Sequence, residues 1–163
     1  MTGPYYLCGA SFGSLIAVEI AHRLEQENEK IEFIGIIDGW GKHGQENFDI
    51  NYVREIIHLH LPKQDARADL DKQSVWESLL HQRLNMMVRY DYKSIKNEAI
   101  LYKARDLLSE YKAIEASDNH WSNYIGALSI ITIPGDHNTM LQEPGVSVLA
   151  TEIDKYLSGK LFE

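Results

Sequence analysis

Residues 5–13 read Tyr5-Tyr6-Leu7-Cys8-Gly9-Ala10-Ser11-Phe12-Gly13, a segment with the pattern of a strand, a tight turn and the start of a helix. Its first half is aromatic and apolar, which predicts a buried strand over residues 4–9. The residues that follow have helical rather than alternating periodicity, which predicts a helix over residues 12–28. A serine at a sharp turn between a strand and a helix is typical of a nucleophile elbow, in which the hydroxyl is exposed for attack.

The backbone of this turn is expected to contribute as much as the serine hydroxyl. The Phe12 N–H would lie at a helix N-terminus, where it stabilises a developing oxyanion. Gly9 and Gly13 are expected to let the strand and the helix approach each other without a Cβ clash. The pentapeptide therefore predicts a nucleophile together with one oxyanion donor.

A serine is a weak nucleophile, and the ends of two further predicted strands supply a base and an acid. The run over residues 32–38 is β-branched and apolar and ends in Asp38, whereas the run over residues 127–133 is followed by Pro-Gly and then His137. Because functional groups gather at the carboxyl ends of parallel strands, Ser11, Asp38 and His137 are predicted to meet there. In that arrangement His137 takes the serine proton and Asp38 orients the imidazole.

Two neighbouring groups offer alternatives to this assignment. Asp136 directly precedes His137 and is the competing acid, although adjacent residues at a strand end usually diverge. Cys8 lies close to Ser11 in sequence, but it falls within the apolar strand, where a small buried thiol is the ordinary case. Asp38 and Ser11 are therefore the first choices.

The rest of the chain continues the alternation of strands and helices. We predict a strand over residues 99–104 and helices over residues 49–60, 73–90 and 144–158. Alternation of this kind is typical of an α/β fold with a mostly parallel sheet flanked by helices. His58 and His60 are spaced i, i+2 in a predicted helix and point to different faces, so no metal site is predicted.

The composition of the chain excludes several classes of function. The 163 residues match one domain, and 44% of them are hydrophobic, enough for a sizeable core. A net charge of −8 argues against nonspecific nucleic-acid binding. The single cysteine excludes an internal disulfide and fits the cytoplasm, and the sequence has no apolar stretch of membrane-spanning length.

The stretch from Gly3 to Ser14 resembles the elbow of thioesterase domains of nonribosomal peptide and polyketide synthases, with Ser14 in place of a final glycine. The likeness extends to Asp38 at the end of the next strand, to Leu101-Tyr102-Lys103-Ala104, and to the histidine segment from Ile133 to Leu141. It implies an α/β-hydrolase-like fold, with residues 1–163 as a single partial domain. The strands that usually precede the elbow in this family are expected to be absent.

By resemblance, the activity is that of a serine thioesterase. The enzyme would release an acyl or peptidyl chain from a phosphopantetheine arm by hydrolysis or cyclisation, through an acyl-serine intermediate. The substrate would arrive on a carrier protein or domain, and the domain itself would hold no cofactor. The alternatives are another serine hydrolase such as a carboxylesterase, or a catalytically incomplete fragment with a structural or carrier-binding role.

Two further expectations follow from the resemblance. A helical lid insertion is expected over about residues 42–98, and the side chains expected to contact an acyl chain are Trp40, Trp76, Met86 and Met87. The missing strands would leave the strand over residues 4–9 as an exposed edge, through which the chain would form a homo-oligomer.

Overall fold

The computed structural model describes residues 3–42, 75, 78–79, 82–83, 85–87, 89–108 and 115–160. The predicted helix over residues 49–60 lies outside them. The chain divides into two compact units, one made of residues 1–41 with 92–163 and the other of residues 42–91. The described residues between 75 and 89 in the second unit are helical.

The first unit contains a parallel sheet and its helices. In chain order the elements are β1 (Tyr5–Ala10), α1 (Phe12–Gln26), β2 (Ile31–Ile37), β3 (Ile95–Ala104), β4 (Ile125–Ile133) and α2 (Gly145–Lys160). The strands lie in the order β1-β2-β3-β4, and every neighbouring pair is parallel. The predicted α/β fold with a parallel sheet flanked by helices is confirmed, with most element ends within two residues of the prediction.

The apolar core explains why the sheet needs helices on both sides. One cluster joins Phe33, Ile100, Tyr102 and Ile133 of the sheet to Leu149 of α2 and to Met140 in the turn before it. Residues that alternate with these along the strands, such as Ile36 and Leu101, are also fully buried. Side chains are thus buried on both faces of the central strands, as expected for a parallel sheet.

Two strand predictions need correction. β3 begins at Ile95 rather than at residue 99, because Ile95 is buried and pairs with Ile125 across a register shift. The strand before the elbow is not buried along its length, since its side chains alternate between half-buried and exposed. Tyr6 is 52% exposed because β1 lies at one edge of the described sheet.

Candidate active site

The serine at the elbow is held in a strained turn by its own backbone. Ser11 has φ 51 and ψ −121, outside the regions that a non-glycine residue prefers. Its N–H donates to Ile37 O at 2.9 Å, and its carbonyl accepts from the Ser14 N–H at 3.0 Å. A serine at the N-cap of a helix ordinarily accepts a hydrogen bond from an N–H of the first turn through its side chain. The Ser11 hydroxyl makes no such capping bond. The hydroxyl is therefore left for another partner.

That partner is the imidazole of His137. His137 Nε2 lies 3.1 Å from Ser11 Oγ, and His137 Nδ1 lies 2.8 Å from Asp38 Oδ2. The three side chains come from the carboxyl ends of β1, β2 and β4, as the sequence predicts for a parallel sheet. Ser11 is exposed whereas Asp38 is only 5% exposed, so the acid is buried and the hydroxyl faces solvent.

The competing acid, Asp136, is occupied in its own turn. Its Oδ1 accepts from the N–H groups of Asn138 and Thr139, both at 2.9 Å, and from the Thr139 hydroxyl at 2.8 Å. Burial disfavours its ionised form, but these hydrogen bonds outweigh that effect and hold the pKa of Asp136 below its usual range. Asp136 thus stabilises the loop that carries His137, and the carboxylate on the imidazole is that of Asp38.

The glycines at the elbow behave differently from one another. A Cβ on Gly9 would lie 2.1 Å from Gly13 O, so Gly9 is required for the close approach of strand and helix. The expectation for Gly13 is wrong, because a Cβ there would meet no atom of the described residues within 4 Å. The second tight position is Gly39, where a Cβ would lie 2.3 Å from both Cβ and Oγ of Ser14.

Ser14, which stands in place of the final glycine of the family's elbow, makes a structural contact that its type and position did not predict. It is fully buried, and its hydroxyl donates to Gly9 O at 2.7 Å. This bond ties the first turn of α1 to the end of β1, directly across the elbow. A serine three residues after the nucleophile is the only sequence signal for this contact.

The backbone of Phe12 lies where an oxyanion donor is expected. Phe12 is the first residue of α1, and the first amides of a helix have no intrahelical acceptor. The positive end of the helix dipole lies at the same place. The arrangement can therefore stabilise negative charge beside Ser11.

Cys8 does not compete with Ser11 as a nucleophile. The residue is exposed, contrary to the expectation of a buried thiol, because β1 is an edge strand. Its sulfur nevertheless lies over Gly35, where a Cβ would be 3.0 Å away. Partial burial of the sulfur raises the pKa of the Cys8 thiol, which disfavours the reactive thiolate.

The residues expected to contact an acyl chain fall in different places. Trp40 follows Asp38 and Gly39 in the first unit, and its ring lies 6.3 Å from that of His120 between centroids. Met86 and Met87 are helical residues of the second unit, and Met86 is 58% exposed. Trp76 lies outside the described residues. Substrate contact by these side chains stays a prediction.

The described part of the chain contains neither a metal-binding cluster nor a membrane-spanning helix. No group of three or more His, Cys, Asp or Glu side chains among those residues is arranged to hold a metal ion. No helix in the same residues is both long and apolar enough to span a bilayer.

The chain is similar in sequence to a protein family and to a synthetase. Residues 1–157 match the family model described as Thioesterase domain. Vanchrobactin synthetase VabF of Vibrio anguillarum is 21% identical over an alignment of 170 positions. The alignment covers 97% of this chain and 6% of the synthetase. The chain thus spans a small part of this relative.

Solved structures share the fold. The four-domain nonribosomal peptide synthetase holo-AB3403 superposes with a TM-score of 0.72 at 20% identity, covering 94% of this chain and 14% of that protein. The surfactin-cyclising thioesterase domain SrfTE superposes with a TM-score of 0.67 at 21% identity, covering 95% of this chain and 68% of that one.

Proposed function

Because the chain belongs to the thioesterase domain family, we propose that it cleaves an acyl or peptidyl thioester through an acyl-serine intermediate on Ser11. One observation carries the proposal: contacts at 3.1 Å and 2.8 Å link the Ser11 hydroxyl through His137 to the buried carboxylate of Asp38. This is the order of groups that activates a serine for acyl transfer.

In the first half of the reaction, Ser11 Oγ attacks the thioester carbonyl carbon while its proton passes to His137 Nε2. The carbonyl oxygen becomes an oxyanion, and the Phe12 N–H donates to it at the helix N-terminus. Asp38 stabilises the imidazolium through Nδ1. The oxyanion then re-forms the carbonyl, the C–S bond breaks, and the sulfur takes the proton from Nε2 and leaves as a thiol.

In the second half, His137 Nε2 takes a proton from the incoming nucleophile. A water molecule gives a free acid, whereas a hydroxyl or amine within the acyl chain gives a ring. The ester bond to Ser11 Oγ breaks, and Nε2 returns the proton to the serine. Hydrolysis and cyclisation therefore use the same three side chains and differ in the nucleophile that reaches the acyl group.

We also propose that the substrate arrives on the phosphopantetheine arm of a carrier domain. The likeness to the synthetase VabF and to a four-domain nonribosomal peptide synthetase supports this, because the thioesterase domains that the chain resembles act on carrier-bound thioesters. A lid formed by the second unit, residues 42–91, belongs to the same proposal; the expected end near residue 98 is too late, because Ile95–Ala104 form β3. Contact of the acyl chain with Trp40, Trp76, Met86 and Met87 is also part of the proposal. Self-association through β1 is a further part of the proposal, because β1 lies at an edge of the described sheet and exposes Tyr6.

The test is hydrolysis of an acyl-N-acetylcysteamine thioester by the purified chain, beside the Ser11→Ala variant. Ser147→Ala is a matched control, because Ser147 is exposed on α2 and its hydroxyl bonds Glu143 Oε1. We expect turnover in the native chain and the control and none in Ser11→Ala.

Three results would count against the proposal. A Ser11→Ala rate equal to that of the native chain would exclude the acyl-serine route. Faster turnover of the matched oxygen ester would indicate a carboxylesterase. A folded sample that turns over neither substrate would indicate a catalytically incomplete, carrier-binding domain.

A further inference from the structure

Asn119 is buried directly behind the acid of the site. The residue is 0% exposed, and it lies in the turn that precedes β4. Its Nδ2 lies 3.3 Å from Asp38 Oδ1 and 3.2 Å from Gly39 O. The amide group therefore bridges the carboxylate and the carbonyl of the very next residue.

The two acceptors fix the orientation of this amide. A carboxylate oxygen and a carbonyl oxygen accept hydrogen bonds and cannot donate them. Nδ2, which carries two hydrogens, must therefore face both, and Oδ1 points away. Among the described residues no donor reaches Asn119 Oδ1. Both hydrogens of the amide are thus directed at acceptors at the end of β2.

The turns that carry Asp38 and Asn119 are also joined through their backbones. Asp38 has φ 43 and Asn119 has φ 47, in the left-handed region that aspartate and asparagine enter more readily than other non-glycine residues. The Gly41 N–H donates to Asn119 O at 2.8 Å, which ties the turn after β2 to the turn before β4. A Cβ on Gly41 would lie 2.4 Å from His120 O, which shows how closely they approach.

Each oxygen of the Asp38 carboxylate thus has separate partners. Oδ1 accepts from the Ala104 N–H at 3.0 Å and from Asn119, whereas Oδ2 lies 2.8 Å from His137 Nδ1. Rotation of the carboxylate would break bonds on both oxygens at once. Trp121 Nε1 donates to Gly39 O at 2.9 Å and thereby supports the turn rather than the carboxylate.

We propose that Asn119 is a positioning residue for the reaction, one that fixes the Asp38 carboxylate so that Oδ2 meets His137 Nδ1. The inference rests on the proposed function, since Asp38 must orient the imidazole for the positioning to matter. It adds a fourth side chain, from the turn before β4, to the three that perform acyl transfer.

The experiment compares Asn119→Leu with Trp121→Phe in the full chain. Leucine has a similar volume and no donor, whereas phenylalanine at 121 removes a bond to Gly39 O and leaves the amide of Asn119 in place. For Asn119→Leu we expect kcat on the N-acetylcysteamine thioester to fall about tenfold with KM changed less than about twofold. A tenfold loss is the lower end of the range expected for removing a hydrogen bond to a charged group. We take the lower end because the distance of 3.3 Å between Asn119 Nδ2 and Asp38 Oδ1 is long for such a bond.

A second readout does not need turnover. The proton on His137 Nδ1, shared with Asp38, should give a far-downfield resonance in the NMR spectrum of the native chain. We expect this resonance to shift or broaden in Asn119→Leu and to persist in Trp121→Phe. Equal loss of kcat in the two variants, with the resonance unchanged in both, would overturn the inference and reduce Asn119 to a support for the turn.

The experiment also covers a variant that does not fold and a native chain that is inactive. If Asn119→Leu does not fold, Asn119→Gly suits the backbone φ of 47 and removes the side-chain donor to Asp38 Oδ1, with the same outcomes expected. If the native chain shows the resonance but hydrolyses no thioester, the proposed function fails. The effect of Asn119→Leu on the resonance then still decides whether this side chain positions Asp38.

Discussion

Replacing Gly39 with alanine should damage the site through the elbow on the neighbouring strand. The new Cβ would lie 2.3 Å from Cβ and Oγ of Ser14 and 2.9 Å from Ser11 O. Ordinary contacts begin near 3.4 Å, so the two turns must separate by about 1 Å. Ser14 cannot move aside freely, because it is fully buried and bonded to Gly9 O.

The size of the effect follows from that separation. Overpacking in a buried site costs about 1–3 kcal/mol of unfolding free energy, or about 4–8 °C in Tm for a central value in a domain of this size. A displacement of about 1 Å between reacting groups costs on the order of 10²-fold in rate. We therefore expect Gly39→Ala to lower kcat about 100-fold while most of the chain remains folded at 25 °C.

The assay is urea unfolding together with thioester turnover, for a double-mutant cycle with Ser14→Gly. That second change removes both 2.3 Å contacts and leaves the 2.9 Å contact with Ser11 O. The double variant should be more stable than the sum of the single effects by at least about 0.5 kcal/mol. Gly13→Ala is the matched control in the same elbow, and its stability should be unchanged or slightly raised. Additive costs, or a Gly13→Ala variant as unstable as Gly39→Ala, would refute the steric reasoning.

Further predictions concern single side chains. Asp38→Asn should lower kcat about 10³–10⁴-fold in a folded protein, because an amide favours the wrong imidazole tautomer; a larger loss for Asp136→Asn would make that residue the acid. Cys8, whose thiol pKa is raised by burial, should react with a thiol reagent at pH 8 more slowly than in the urea-unfolded chain, and equal rates would contradict the assignment. Burial opposes ionisation of Asp118, but hydrogen bonds from Ser122 and from the His120 N–H hold its pKa below the usual range. Its contribution to unfolding free energy is therefore complete above about pH 4 and is lost as the pH falls below that value, so Asp118→Asn should flatten the acid limb of stability measured by urea unfolding. Burial raises the pKa of Tyr102 to about 12, and ultraviolet titration should show it ionising after the exposed tyrosines; ionisation together with them would indicate a looser core.

The elements, and the contact among Ser11, Asp38 and His137, could be predicted because their signals are local. Apolar periodicity marks each strand and helix, and in a parallel sheet the end of a strand also marks where its polar residue will lie. Ser11, Asp38 and His137 each directly follow or lie within a few residues of such an end. Their meeting needed no knowledge of distances.

Asn119, Ser14 and Gly39 could not be predicted in the same way. Their roles arise where the turn after β2 meets the turn before β4 and the start of α1, and no local pattern encodes which turns will touch. An asparagine in a polar loop looks like any solvated residue. The exposure of Cys8 could not be predicted for a related reason. An apolar strand has a similar composition at the edge and at the centre of a sheet.

The all-parallel ladder has a consequence for how the site comes into being. Parallel neighbours cannot be joined by a tight hairpin, so every strand pair in this sheet must wait for a distant stretch of chain to return. Ser11 and His137 are separated by 126 positions, and they meet only after all four strands have assembled. Covalent labelling of Ser11 during refolding would therefore record the completion of the topology and lag behind the formation of helix.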